Sequence, residues 1–276
     1  MRIRRIAILV DGGFFLKRIK AWPSIDRTDP VKVADSIRHL CKRHVQKLTG
    51  IKTPQGNQGD QVNWLDHVYR MFYYDARPYE GAPHHPFKNK QIEFGKSPEA
   101  KFRYDLFNEL RNKRKFALRL GVVKNNDGDY WSPYSRDIKN LMKIWHEAKY
   151  IHEVLSDLSK YDEVKNNSAL KAINYWKDLS EDQIQFPLRQ KGVDMRIGLD
   201  ITTMTMKKQV DTIILVTGDS DFIPAAKIAR REGVEFILDP MWQSVEKDLS
   251  EHIDGLISGF DKPAVSASQP SEIEHV

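Results

Sequence analysis

The sequence has almost no cysteine. Cys41 is the single cysteine among 276 residues, so neither an internal disulfide nor a cysteine-based zinc site can form within the chain. This scarcity favours a reducing compartment, and we expect a cytoplasmic protein. Any metal site would have to use oxygen or nitrogen ligands. Cys41 falls on the apolar side of a predicted helix, where a buried small hydrophobic residue is a better interpretation than a nucleophile.

Long apolar runs are also missing. No segment approaches the roughly 18 to 20 apolar residues that a membrane helix needs. The first apolar run ends at Asp11, with no small-residue cleavage site behind it. We therefore expect neither a membrane span nor secretion. Hydrophobic residues make up 40% of the chain and charged residues 30%, which allows a folded core and excludes a largely disordered protein.

The excess of positive charge is small. The chain has 44 Lys and Arg against 38 Asp and Glu, a net charge of +6, which permits a polyanionic partner without requiring one. Cations cluster in one run, at Arg111, Lys113, Arg114, Lys115 and Arg119. Two interpretations of this run stay open: an approach to a polyanion-binding pocket, or an ordinary solvated helix face.

Short apolar runs that end near acids or glycines predict the strands of a parallel sheet. They span residues 4–10, 68–74, 116–123, 210–217 and 234–238. Apolar residues at helical spacing predict helices over 31–48, 99–115, 193–208, 222–232 and 249–257. Pro, Gly and His residues over 81–98 favour a loop. The fold class is therefore α/β, a parallel sheet flanked by helices.

One region does not follow this alternation. Residues 125–135 have turn chemistry, and 137–179 are helical in pattern but less regular. We therefore expect a single domain over residues 1–262 in which residues 125–185 form a helical insertion. The polar residues 263–276 are expected to be a flexible tail.

Acidic residues follow the predicted strands. Asp11 comes after the first strand, and Asp219 and Asp221 come after the strand over 210–217. Asp194 begins the helix that leads to that strand. Ligands bind at the carboxyl ends of the strands in an open parallel sheet, so these four carboxylates are expected to converge. Asp200 lies further along the same helix.

Four converging carboxylates would repel one another without a cation. Oxygen ligands suit Mg²⁺ or Mn²⁺, and such ions activate water and stabilise charge during phosphate ester hydrolysis. The alternative is that each Asp only caps a helix, since Asp is a preferred N-cap residue. That explanation is weaker for four acids from three segments than for any one of them.

Three motifs carry a family resemblance. Asp11-Gly12-Gly13, the segment 191–194 (KGVD) and the segment 217–224 (TGDSDFIP) resemble the NYN domain of the PIN-like nuclease superfamily, in its bacterial LabA-like branch. The tyrosine-rich strand that ends at Asp75 is similar to that branch as well. The resemblance extends from Arg4 to about Asp239 and is strongest from Lys191 onward; it leaves 125–185 largely unexplained.

The resemblance implies a PIN-like parallel sheet and a divalent-metal-dependent ribonuclease. By position, Asp11, Asp194, Asp219 and Asp221 match the family's acidic residues, and we expect them to be catalytic and to hold Mg²⁺ or Mn²⁺. Asp200 matches a further acidic position whose role is open. Lys191 and Ser220 are candidate substrate-binding residues, although Lys191 could instead neutralise a neighbouring acid. The expected partner is nucleic acid, in particular RNA.

One departure from the family pattern affects activity. Many members have an Asn shortly after the first Asp-Gly, where this chain has Phe14 and Phe15. A non-catalytic NYN-type regulator that binds nucleic acid or a nucleotide therefore remains an alternative. Whether the chain forms a homo-oligomer, and whether it cuts endonucleolytically, is left open.

Other motifs are weaker. The segment 218–221 is similar to the metal loop of haloacid-dehalogenase-type phosphatases, but Asp11 is not followed two residues later by the second acid that those enzymes need. The glycines at 12 and 13 do not make a dinucleotide fingerprint. His84 and His85 have no well-spaced third ligand.

Overall fold

The computed structural model describes residues 4–51, 63–125 and 130–263. The predicted tail over 263–276 lies outside the described residues from position 264 onward, as do residues 126–129 of the predicted turn region.

The strands and helices alternate along much of the chain. The strands are β1 (Ile6–Asp11), β2 (Val68–Arg77), β3 (His84–His85), β4 (Lys90–Gln91), β5 (Phe116–Asn125), β6 (Ser132–Pro133), β7 (Ile184–Gln185), β8 (Leu188–Lys191), β9 (Thr212–Val216), β10 (Glu235–Asp239) and β11 (Gly255–Leu256). The helices are α1 (Gly12–Arg18), α2 (Pro30–Thr49), α3 (Pro98–Asn112), α4 (Ser135–Leu141), α5 (Lys143–Ser156), α6 (Glu163–Lys177), α7 (Val193–Met206), α8 (Ile223–Arg231) and α9 (Lys247–Glu251).

Seven strands form the main sheet, in the order β11-β10-β9-β1-β2-β5-β8. β1 pairs in parallel with both β2 and β9, and the outer pairings β2–β5, β9–β10 and β10–β11 are parallel too. The α/β fold class predicted from the sequence is confirmed. β1 lies at the centre, and its residues from Ile6 to Val10 are fully buried, as expected for a strand covered on both faces.

Alternation along the strands divides the core into two layers. Ile8 and Val10 of β1 pack with residues of α2 and α3 on one face. Ala7 and Leu9 pack with residues of α7 and α8 on the other face. Both layers lie against the same strands, so the sheet is held in place from both sides.

Local signals explain why the long helix α2 matches its prediction. The Asp29 side chain accepts the backbone N–H groups of Val31 and Lys32, and Pro30 occupies the first turn. The helix ends at Gly50, whose φ of 72° is the left-handed conformation typical of a glycine cap.

Two predicted elements are wrong in part. The segment 81–98 is not only a loop, because β3 and β4 pair in it as an antiparallel hairpin. The predicted helix over 249–257 is replaced by the short helix α9 and by β11, whose residues pair with Ile237 and Leu238 of β10. In both places a strand of two residues forms through pairing with a neighbour, which no short sequence window can indicate.

The chain divides into two compact units. The first contains the described residues up to Tyr79, Lys96–Val123 and those from Gln190 onward. The second contains Glu80–Gly95 and the described part of Lys124–Arg189, with α4, α5 and α6. Within the second unit, a cluster of aromatic rings forms around Trp131, which contacts His85, Phe94 and Phe186.

Candidate acidic site at the carboxyl edge of the sheet

The central strands end in a row of polar residues. Asp11 is the last residue of β1 and pairs with Tyr74 of β2, while Val10 pairs with Val216 of β9. Thr217 follows β9 directly. Because these strands are parallel, Asp11 and the 217–221 segment lie at the same edge of the sheet.

Asp11 is held by two hydrogen bonds. The backbone N–H of Phe14 donates to Oδ1 at 3.1 Å, so Asp11 caps α1. The Thr217 hydroxyl donates to Oδ2 at 3.2 Å. The capping interpretation is therefore correct for this residue, but it accounts for only one of its oxygens; the other joins β1 to the loop after β9.

Thr217 also orders that loop. Its buried hydroxyl accepts the backbone N–H of Asp219 at 3.3 Å. Asp219 in turn accepts the N–H of Asp221 at 2.9 Å, at the start of a 3-10 turn over Ser220–Phe222. One threonine thus fixes the position of Asp219 relative to Asp11. The sequence motif contains this residue, but no role was predicted for it.

Asp194 reaches the same edge from α7. Gly192, with a φ of 78°, directs the chain into the helix, and Asp194 lies in the first turn. Partial burial raises the pKa of Asp194, and the negative charges of Asp219 and Asp221 raise this pKa further. The structure therefore brings these three carboxylates within electrostatic range of one another.

Asp11 belongs to the same electrostatic group. Burial raises its pKa; the bonds from Phe14 and Thr217 oppose this, while the charges of Asp194 and Asp75 raise the pKa further. All four predicted acids are thus linked, and the link extends to a fifth. An acid cluster whose members disfavour one another's ionised form is a recognised feature of functional sites.

The fifth acid, Asp75, is fully buried in β2. Arg103 of α3 donates to its two oxygens at 2.5 and 2.6 Å, and the Gln190 amide lies 3.4 Å from Oδ1. The sequence indicates Asp75 as an acid that ends a strand, but it contains no signal for the role of this residue. Arg103 had no signal, because it is 28 residues further along the chain.

The departure at Phe14 and Phe15 has a clear structural outcome. Phe15 is fully buried in the core. The Phe14 ring packs against Gly218, where a Cβ atom would come within 2.8 Å of the ring. An aromatic ring of α1 therefore lies against the loop that leads to Asp219, at the position where the family pattern has a polar amide.

Three further residues were singled out from the sequence. Asp200 is engaged elsewhere, since it accepts the Tyr74 hydroxyl at 2.8 Å and pairs with Arg119 at 2.9 Å. Lys191 is exposed just before Gly192, and Ser220 lies half-buried between Asp219 and Asp221.

The basic run over 111–115 does not approach the acids. Lys113 pairs with Asp35 at 2.6 Å, and Lys115 donates to the carbonyl oxygen of Leu65 at 2.7 Å. The run precedes β5, whose first residue pairs with Met71, so it lies at the amino edge of the sheet. The interpretation as an approach to the pocket is therefore wrong.

The residues present fit a hard cation by chemistry. The donors at this edge are carboxylate and hydroxyl oxygens, which Mg²⁺ and Mn²⁺ prefer. In the described part of the chain, however, no three His, Cys, Asp or Glu side chains are close enough to form a ready metal-binding group. Binding would therefore need side-chain movements by Asp194, Asp219 and Asp221, which are exposed.

Comparison with known families agrees with this architecture. Residues 127–258 match the NYN domain family. The predicted NYN resemblance is thereby confirmed over this range, and the NYN family belongs to the PIN-like superfamily; the match does not identify the LabA-like branch. The matched range contains Asp194, Asp219 and Asp221 but begins after Asp11. At this coarse level, the match indicates a nuclease-like domain whose substrate class is nucleic acid.

Other comparisons add little. No curated protein matches the chain. A crystal structure of a protein of unknown function from Vibrio parahaemolyticus is similar over 95% of this chain and 98% of that one, at 15% identity and a TM-score of 0.38. Among the described residues, no helix has the length and apolar character required to cross a membrane.

Proposed function

We propose that this NYN protein is a divalent-metal-dependent ribonuclease that hydrolyses RNA phosphodiester bonds at Asp11, Asp194, Asp219 and Asp221. The observation that carries the proposal is the electrostatic linkage of these four acids across three chain segments. The NYN match supports it, because nuclease-like domains are the general type of this family.

Each residue has a proposed role. Asp11 is the fixed acid of the four, because Phe14 and Thr217 donate hydrogen bonds to its two oxygens. Asp194, Asp219 and Asp221 are exposed and complete the oxygen ligands for Mg²⁺ or Mn²⁺. When bound, such an ion would supply an activated water and charge stabilisation at the phosphate. Lys191 and Ser220 would contact the substrate phosphates.

A second candidate is a non-catalytic binding protein that uses the same edge. Two observations favour it: the Phe14 ring lies against Gly218 beside Asp11, and the described acids do not form a ready metal-binding group. A protein of this kind would bind nucleic acid or a nucleotide and leave it intact.

The proposal also covers the domain organisation and the cellular compartment. We propose one NYN domain over residues 1–262 with a helical insertion over 125–185. The free, buried Cys41 is compatible with a reducing compartment such as the cytoplasm.

Cleavage separates the two candidates. Purified protein is incubated with end-labelled single-stranded and structured RNA and DNA, in Mn²⁺, in Mg²⁺ or in EDTA. A ribonuclease gives products from RNA with metal and none in EDTA, and a ladder of fragments rather than single nucleotides identifies endonucleolytic cutting. Retained binding with intact substrate under every condition supports the regulator.

A further inference from the structure

A groove of about 570 Å³ lies beside the acidic site in the first unit. Gly13, two residues after Asp11, is one of the residues that line it. Arg103 and Gln190, which both contact Asp75, line it as well. The groove therefore lies next to Asp11 and Asp75, and its volume is within the range of ligand-binding clefts.

Positive charge dominates the lining. Lys17 and Lys20 enter from the end of α1 and the turn after it, and Arg27 enters from the loop before α2. Glu99 is the lining acid, and it pairs with Arg103 at 3.1 Å. Among the described residues, Lys17, Lys20 and Arg27 have no ion pair or hydrogen bond of their side chains.

Acids close to Arg27 in sequence are engaged by other groups. Asp26 accepts the Thr28 hydroxyl at 2.7 Å and pairs with Lys32 at 3.1 Å. Asp29 accepts backbone N–H groups at the start of α2. Three cations that no nearby acid neutralises therefore face one groove, an arrangement suited to a chain of phosphates.

The groove also has an apolar wall. Phe102 of α3 lines it and is half-buried, beside the apolar side chains of Leu16 and Ile19. Aromatic side chains next to cations are the usual surface on which unpaired bases stack, whereas the bases of a duplex are already stacked on one another. This combination of cations and an aromatic wall favours a single-stranded nucleic acid over a duplex.

We propose that this groove binds the backbone of a single-stranded nucleic acid, with Lys17, Lys20 and Arg27 contacting successive phosphates on the strand that leads to the acidic site. As a description of substrate binding, the inference rests on the proposed nuclease function. Binding itself requires neither metal nor cleavage, so it can be measured separately.

The test compares two charge-matched triple variants. The groove variant is Lys17→Gln, Lys20→Gln and Arg27→Gln. The control variant is Arg111→Gln, Arg114→Gln and Lys207→Gln, which removes the same charge at the amino edge of the sheet. All six side chains are exposed, and circular dichroism verifies that both variants fold.

Affinity for a fluorescent, cleavage-resistant 2′-O-methyl oligouridine is measured in EDTA between about 0.05 and 0.2 M salt. Each phosphate contact to a single strand contributes about 0.7 to the slope of log K against log salt, so the groove variant should lose about two units of slope. Its affinity near 0.1 M salt should fall at least tenfold, with little change in the control.

Two results would overturn the proposal: equal loss of affinity in both triple variants, or no change of slope in the groove variant. If the wild type cleaves RNA, the groove variant should raise KM with kcat nearly unchanged, as expected for lost uniform binding. Loss of cleavage in acid variants bears on the nuclease function alone, and oligouridine binding bears on the groove alone.

Discussion

At the scale of single residues, Thr217 is the side chain on which the geometry of the site most depends. Its hydroxyl donates to Asp11 and accepts from the N–H of Asp219. The side chain is fully buried, so water cannot replace either bond without rearrangement of the loop. A residue with no charge and no catalytic chemistry thereby fixes two acids relative to each other.

Replacing Thr217 with Val keeps the shape and removes the hydroxyl. We expect the free energy of unfolding to fall by about 1 to 3 kcal/mol, because the N–H of Asp219 loses its acceptor and the carboxylate of Asp11 loses a donor. The pKa of Asp11 should rise further, since the Thr217 bond lowers it, and Mn²⁺ affinity near neutral pH should weaken. Denaturant titration and calorimetry check both effects.

The control for this variant is Thr217→Ser, which keeps the hydroxyl. It should retain most of the Mn²⁺ affinity even if it loses some packing energy. Equal Mn²⁺ affinity in the Val and Ser variants would show that the hydroxyl does not organise the site.

At the scale of elements, the short helix α1 lies close against β2. A Cβ atom on Gly12 would come within 2.6 Å of the Tyr73 ring and 2.7 Å of the Tyr74 carbonyl oxygen. A Cβ atom on Gly13 would meet nothing closer than 3.4 Å. Adjacent glycines in one motif therefore have different structural requirements.

Gly12→Ala should destabilise the protein by about 1 to 3 kcal/mol or more, because the backbone at Tyr74 cannot rotate away as a side chain can. Gly13→Ala should be close to neutral, since alanine is the better helix former. Chemical denaturation of both variants measures the difference; equal stability would contradict the close packing of α1 on β2.

A buried hydrogen-bonded pair connects α2 with the end of β10. His44 of α2 lies with Nε2 at 2.7 Å from Asp239 at the end of β10, and neither side chain is exposed. Asp239 also accepts the backbone N–H groups of Met241 and Gly259. Burial raises the pKa of Asp239, but the hydrogen bonds and the His44 charge outweigh burial and lower it.

Asp239→Asn should lower the free energy of unfolding by about 3 kcal/mol near neutral pH, because one member of a buried pair is lost. A lowered pKa in the folded state means that stability is present above the ordinary Asp pKa and is lost as pH falls through the folded value. The difference in free energy of unfolding between wild type and Asp239→Asn should therefore shrink below about pH 4. The control is Asp248→Asn, at an exposed position. A difference in free energy of unfolding between wild type and Asp239→Asn that stays constant with pH, like that of the control, would contradict this role.

The elements differ in how far the sequence predicts them. β1 and α2 contain their own signals, an unbroken apolar run and a capped, proline-initiated helix. The strand β11 has only two residues and exists through pairing with β10. The four acids were predictable because each stands beside a strand or a helix start. The Asp75–Arg103 pair and the groove cations were not, because they meet only after α1, α2 and α3 pack on the sheet.

At the scale of the whole molecule, a metal bound by three segments should stabilise the fold. The acids disfavour one another's ionised form in the folded protein, whereas the unfolded chain disperses them. A ligand that binds only the folded state at one hundred times its Kd adds about 2.7 kcal/mol. The melting temperature should therefore rise with Mn²⁺ concentration.

Asp194→Ala should reduce this Mn²⁺-dependent rise. The control is Asp200→Ala, which removes an acid of the same helix that is paired with Arg119; it should lower the basal melting temperature and keep the Mn²⁺ shift. A wild type with no shift in Mn²⁺ or Mg²⁺ would mean that the acids do not form a cation site.

The central claim is that the acids at the carboxyl edge perform metal-dependent RNA cleavage. The most direct measurement is the single-turnover cleavage rate of labelled RNA in Mn²⁺ for wild type, Asp11→Asn, Asp219→Asn and the control Asp35→Asn. Asp35 is an exposed acid of α2 that pairs with Lys113, away from the site. Asn keeps the size of Asp but removes the charge that binds a cation, so both site variants should lose most of the rate while remaining folded. The control should cleave like the wild type, whereas near-native cleavage by either site variant would contradict the account.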